Sequence, residues 1–259
     1  FLCHAKPKDE AQATLWKQLV GGTLPTPDTW EVELSASTDK LASWTRLLAD
    51  KKLGALALLK NLRNMADAKV PESMVRDALA VCKTDWVLPF RFVSAARYAP
   101  RLEDALEAAM FRCLTDAPKL KGKTALVIDG SGSMFGAKVS AKSELDRFDA
   151  AAALAMLVRE VCEQVAVYVF SVNTFAVPPR RGFALRDVLS QGAERGGTNT
   201  GVAVQAVGAQ GYDRIIVVTD EQSHQTIPAP LLGTKGYVVN VASYQNGIGY
   251  GPWTHIDGW

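Results

Sequence analysis

Two rhythms of apolar and polar positions divide this chain. Up to about residue 120 the apolar positions recur at helical spacing. Ala11 to Val20 reads as a helix that stops at Gly21-Gly22, and Leu24-Pro25-Thr26-Pro27 reads as a turn or extended linker. Asp39 to Ala49 places Leu41, Trp44, Leu47 and Leu48 on one face. Leu53 to Ala66 is apolar in its first half and polar in its second, and Pro71 opens the next helix. Phe90 to Tyr98 and Leu102 to Leu114 follow. Successive short helices with brief connections predict a stacked, HEAT-like helical-repeat segment, although no exact sequence period is present.

After residue 120 the pattern changes. Thr124 to Ile128 is a short apolar run that reads as a buried strand. Asp146 to Cys162 is a helix, apolar nearly all round, as for one covered on both sides. Val165 to Phe170, Arg214 to Thr219 and Tyr237 to Ala242 read as further strands. Strands alternating with helices predict a doubly wound, mainly parallel α/β domain. The expected division is a helical segment over 1–120 and an α/β domain over 121–259, with the boundary near Pro118 to Gly122.

Composition narrows the classes only slightly. Of 259 residues, 48% are hydrophobic and 22% charged, as in a globular protein able to bury a core. The net charge of +2 does not demand a nucleic-acid partner. Residues 1–121 carry 18 Lys+Arg against 15 Asp+Glu, and the remainder 11 against 12, so only the first part is mildly basic. No run of roughly 18 apolar residues occurs, hence no membrane span is expected. None of the four cysteines forms a C-x-x-C pair, which argues against zinc. Cys113 and Cys162 fall in apolar patterns where a free cysteine is a small hydrophobe, which favours a reducing compartment, though a disulfide stays open. The sequence begins with Phe1 rather than Met, as a fragment of a longer chain would, and shows no signal peptide.

The chemistry concentrates just past the first α/β strand, in Asp129-Gly130-Ser131-Gly132-Ser133. Open α/β sheets bind ligands at this carboxyl edge. The alternation spaces one carboxylate and two hydroxyls so that a curled loop brings them to one point, and the glycines make the curl cheap. Carboxylate and hydroxyl oxygens are hard ligands suited to Mg²⁺ or another divalent cation such as Mn²⁺. Gly196-Gly197-Thr198-Asn199-Thr200 and Thr219-Asp220-Glu221 are expected at the same edge. A plain glycine-rich turn is the alternative for the first motif alone. Ser131 and Ser133 lack the strand–helix grammar of a nucleophile elbow, so an enzyme is not expected. Two carboxylates also fall short of a two-metal phosphoryl-transfer site.

Together, the three segments resemble the metal-ion-dependent adhesion site of von Willebrand factor A domains. That resemblance covers roughly residues 122–245. It implies that Asp129, Ser131, Ser133, Thr198 and Asp220 surround the ion, with Asp220 acting through water and an acidic partner residue supplying a further ligand. Phe1-Leu-Cys-His-Ala-Lys-Pro7, the helix around Asn61-Leu-Arg-Asn-Met65 and Arg91-Phe-Val-Ser-Ala-Ala-Arg-Tyr98 are similar to the Ro ribonucleoprotein family, a ring of helical repeats (the TROVE module) followed by an A domain. This implies a noncatalytic, cytoplasmic protein that binds small noncoding Y-like RNAs and the ends of misfolded RNAs. The sequence would then be the last part of the ring with most of the A domain, lacking the earlier repeats and a final helix, and binding RNA weakly or not at all alone. His4, Lys60 and Arg63 are the candidate RNA contacts. Lys60, Arg63 and Asn64 share a helical face by spacing, and the contacts would be to phosphate. A solvated helix face, and for His4 an ordinary exposed terminal histidine, are the alternatives. Lys119, Lys121 and Lys123 fit a solubilising linker equally well. His224 is expected on the surface and His255 has no partner pattern. A protein-interaction module that binds an acidic residue through the metal is the competing function.

Overall fold

The computed structural model describes residues 6–25, 29–85, 87–140, 145–223, 225–242, 244, 248 and 251–257. Among the described residues seven α-helices come first: α1 Glu10–Val20, α2 Trp30–Ala36, α3 Lys40–Ala49, α4 Ala55–Asp67, α5 Glu72–Val81, α6 Phe90–Tyr98 and α7 Glu103–Arg112. Their starts are set locally. Asp9 accepts from the Gln12 N–H, Thr29 from Val32 and Asp39 from Ala42, so each side chain satisfies an amide that the first turn leaves open. Pro71 directly precedes α5. The buried stripes follow the expected period: Trp44, Leu47 and Leu48 in α3, and Leu58, Leu62 and Met65 in α4.

Leu41 departs from the expected face and is 42% exposed. It sits in the first turn of α3, where burial begins only at Ser43. Periodicity fixes the angle of a side chain about the helix axis but not how far along the axis a neighbour reaches. The seven-residue α2 was not expected at all, being too short to display a period.

The second part is β1 Leu120–Asp129, α8 Arg147–Val161, β2 Cys162–Phe170, β3 Thr174–Ala176, α9 Gly182–Gly192, α10 Thr200–Gly208, β4 Arg214–Thr219, β5 Lys235–Asn240 and β6 Thr254–Ile256. The strands form one six-stranded sheet in the order β3-β2-β1-β4-β5-β6. All neighbours are parallel except the edge pair β2–β3. In β1, Leu126 and Ile128 join the core under α8, while Ala125 and Val127 face the cluster containing Ala203, Val204 and Val207 of α10. The sheet is therefore covered on both faces, as its near-continuous apolar strands require. The short strands β3 and β6 and helix α9 carry little pattern and were not anticipated.

One continuous core joins the two parts. Phe92, Val93, Leu106 and Met110 of α6 and α7 belong to the same apolar cluster as Phe148, Met156 and the β1 residues Leu126 and Ile128. Polar contacts reinforce this seam. Arg97 of α6 pairs with Asp149 of α8, and Arg186 of α9 with Glu103 of α7 at 3.1 Å. The Glu107 carboxylate accepts a 2.6 Å bond from the Phe183 N–H. Gly182, beside it, has φ +51°, and a Cβ there would run into the Glu107 side chain.

Strand order fixes where a ligand can sit. From β1 the chain passes to β2 on one side, and β4 lies on the other, so the order reverses between β1 and β4. The carboxyl ends of those two strands flank the crevice typical of open α/β sheets.

Candidate functional site

Asp129 closes β1 and is fully buried. Its Oδ1 accepts the Ser131 N–H at 2.9 Å, which turns the chain sharply. A single 3₁₀ turn, Gly132–Met134, follows, and the Ser131 and Ser133 hydroxyls lie 3.2 Å apart. The two glycines serve a purpose other than the expected one. Neither has positive φ; a Cβ on Gly130 would strike Ala193 and Val169, and one on Gly132 would press on the Arg195 carbonyl. They admit the neighbouring loop rather than make the curl possible.

That neighbour is the segment holding Thr198. Arg195 N–H donates to the Gly130 carbonyl and Gly132 N–H to the Gly196 carbonyl, both at 3.0 Å. Ser171, just after β2, ties the segment from behind: its hydroxyl donates to the Gly197 carbonyl at 2.8 Å and accepts from the Gly196 N–H at 3.0 Å. Thr198 is half-buried, and its carbonyl accepts the Ser223 hydroxyl at 3.3 Å, which connects it to the loop after β4.

The third segment contributes Thr219 and Asp220, both fully buried. Thr219 donates its hydroxyl to Asp129 Oδ2 at 2.6 Å, and Asp220 Oδ1 accepts the Gln222 N–H at 3.2 Å. The segments expected from sequence thus meet at the β1/β4 crevice. Thr219 is a contributor that sequence reasoning missed. It ends an apolar strand, and only the parallel register with β1 turns its side chain toward Asp129.

Two buried carboxylates at one place are electrostatically expensive. Loss of hydration pushes the Asp129 carboxyl up to about 6, against the opposing bonds from Thr219 and Ser131. The negative charge of nearby Asp220 adds to the rise. Arg147, the first residue of α8, places Nη1 2.7 Å from Asp220 Oδ2. Arg147 was also missed, because nothing in its local sequence marks it. With carboxylates, hydroxyls and no nitrogen or sulfur ligand in the expected donor set, the chemistry suits a hard divalent cation.

The candidate RNA residues lie elsewhere. Lys60 and Arg63 are exposed on α4, and the Arg63 guanidinium lies 5.0 Å from the centre of the partly exposed Tyr98 ring. His4 and His224 lie outside the described residues. His255, for which the sequence shows no partner pattern, sits with Nδ1 3.3 Å from the buried Glu221 carboxylate. Ligand atoms of Glu221, His255 and Asp257 all fall within 4.8 Å of one another. Parallel pairing of β6 with β5 brings these distant positions together, so no sequence spacing announces them. Among the described residues Cys82, Cys113 and Cys162 are free thiols, and no helix is long and apolar enough to cross a membrane.

A protein-family model for the TROVE domain matches residues 11–123. The crystal structure of the Deinococcus radiodurans RO (RSR) protein superposes with a TM-score of 0.64 at 20% identity, covering 97% of this chain and 65% of that one. This chain therefore spans about two thirds of that protein's length. An aerotolerance-related membrane protein from Bacteroides fragilis matches at 19% identity, 46% of this chain and 67% of its own, with a TM-score of only 0.36. Curated proteins yield no match. A segment that matches the TROVE domain thus runs into a mainly parallel sheet, and the whole has the fold seen in that Ro protein.

Proposed function

We propose that this chain belongs to a noncatalytic, cytoplasmic RNA-binding protein of the Ro type, which binds small noncoding Y-like RNAs and the ends of misfolded RNAs. In this reading residues 1–120 are the end of the TROVE module and 121–259 a von Willebrand factor A domain. The observation that carries it is the exposed face of α4 inside the TROVE match, where Lys60 lies one turn from Arg63 and the Arg63 guanidinium lies over the Tyr98 ring, 5.0 Å from its centre. A guanidinium beside an aromatic ring offers charge to phosphate, and the two groups offer planar surfaces to a base. His4, outside the described residues, is the third proposed RNA contact. The test is RNA binding by the full-length protein across a salt series. Lys60→Ala and Arg63→Ala should each weaken binding and flatten the log–log salt slope by about one unit per lost phosphate contact. Unchanged affinity and slope would remove both residues from the RNA surface.

The same reading gives the A domain a Mg²⁺ or Mn²⁺ site made by Asp129, Ser131, Ser133, Thr198 and Asp220. The ion would supply a positive point at the sheet edge that accepts a carboxylate oxygen from a partner. The clustering of the three loops, with Asp129 and Asp220 buried between them, supports this site. It also favours a second function, a metal-dependent protein-interaction module. Metal-dependent capture of an acidic peptide without RNA binding would select that function over the first.

A further inference from the structure

The arginine at the start of α8 is built into the proposed cation site in an unusual way. Asp220 is completely buried, so its negative charge requires a counter-charge nearby. Arg147 supplies it, and a guanidinium cannot discharge itself by losing a proton. All of its hydrogen bonds at the site run through one nitrogen. Nη1 reaches Asp220 Oδ2 at 2.7 Å, the Tyr244 hydroxyl at 2.9 Å and the Ser133 carbonyl at 3.4 Å. The guanidinium also lies 4.9 Å from the centre of the Tyr244 ring. Arg147 Nε, though buried, has no hydrogen-bond partner among the described residues. Most buried donors have a partner. Arg147 is held on a single side, between the loop of Ser133 and the carboxylate of Asp220.

We propose that Arg147 is an internal counter-cation that competes with the divalent ion for Asp220 and thereby sets the affinity of the site. This rests on the cation site proposed above. A divalent ion entering beside Asp129 meets a fixed positive charge bonded to the carboxylate it would engage, directly or through water. Like charges at such range repel strongly in a poorly hydrated crevice. Ion entry therefore requires Arg147 to give up Nη1–Asp220. Tyr244 holds the guanidinium in the competing position through both its hydroxyl and its ring, so it sets how readily the arginine leaves.

The test uses the chain itself, with Mn²⁺ as the probe. Binding is followed by calorimetry or by the Mn²⁺ paramagnetic signal in wild type, Arg147→Met, Tyr244→Phe and Asp129→Ala. Arg147→Met should bind Mn²⁺ about tenfold more tightly, because the competitor is gone. In EDTA the same variant should melt at a lower temperature than wild type, since Asp220 is left without its counter-charge. Added Mn²⁺ should raise its melting temperature by more than it raises that of wild type. Tyr244→Phe should tighten Mn²⁺ binding by a smaller factor, and it decides the matter if Arg147→Met does not fold. Equal or weaker Mn²⁺ affinity in the folded variants, with wild-type binding still abolished by Asp129→Ala, overturns the role of Arg147 and leaves the cation site standing. No Asp129-dependent binding in any variant overturns both.

Discussion

The Thr219 hydroxyl donates a 2.6 Å hydrogen bond to Oδ2 of Asp129, from the end of β4 to the end of β1. Both groups are fully buried, so water cannot replace either partner. Thr219→Val keeps the shape and deletes the donor. It should lower stability by about 1–3 kcal/mol, the usual cost of stranding a buried acceptor. Thr219→Ser should retain most of the bond. Urea unfolding of the two variants separates the outcomes, and equal stabilities would show that the bond contributes little.

Asp129 is the carboxylate around which the proposed ion would be organised. Asp129→Ala should reduce Mg²⁺ or Mn²⁺ affinity by more than about tenfold, since even supporting residues of metal sites carry effects of that order. The α4 surface lies in the other part of the molecule, so RNA binding should survive. Identical metal titrations in wild type and variant would dispose of the site.

Acidification provides a third test, at the first turn of α8. Asp149 of α8 closes a reciprocal capping box with Asp146 and pairs with Arg97. Burial, followed by the interaction with Asp146, pushes its carboxyl from an ordinary 3.8 to about 6. The folded state therefore holds this proton more tightly than the unfolded chain does. Its contribution to stability is largest below about pH 4 and is lost as pH rises through about 6. Asp149→Asn keeps an oxygen acceptor for the cap but removes the titration. Relative to wild type, the variant should gain stability on going from about pH 4 to pH 7. Parallel pH profiles of the urea midpoints would refute the assignment.

Packing at Gly130 predicts a steric penalty. A Cβ there would lie 2.9 Å from both the Ala193 Cβ and Val169 Cγ2, closer than side-chain carbons approach. Gly130→Ala should force the 193–199 loop away and cost about 1–3 kcal/mol. Thermal melts measure it; an unchanged melting temperature would mean that the loop yields freely.

Much of this was written in local sequence. The stripes of α3 and α4 and the apolar runs of β1 and β4 announce themselves, because burial on a regular element imposes a period. The positions of Asp129, Ser131, Ser133 and Asp220 were likewise legible, since strand ends in a parallel sheet share one edge. What escaped depends on long-range register. Thr219 faces Asp129 only because β4 pairs with β1, Arg147 reaches Asp220 across 73 residues, and His255 meets Glu221 through the β5–β6 pairing. Short elements such as α2 and β3 escaped for another reason: they are fixed by their neighbours more than by their own pattern.

The apolar cluster that runs from α6 and α7 under α8 to β1 has a consequence for how the molecule comes apart. A cut in the chain near residue 120 falls where the sequence changes style, but not where the cohesion is weakest. Separating the halves would lay bare Phe92, Met110, Phe148 and Met156 together and remove the partners of Glu107 and Arg97. Heat or denaturant should then meet a single cooperative unit rather than two that melt in turn. A bond broken at Gly182 would be felt in the helices as readily as in the sheet.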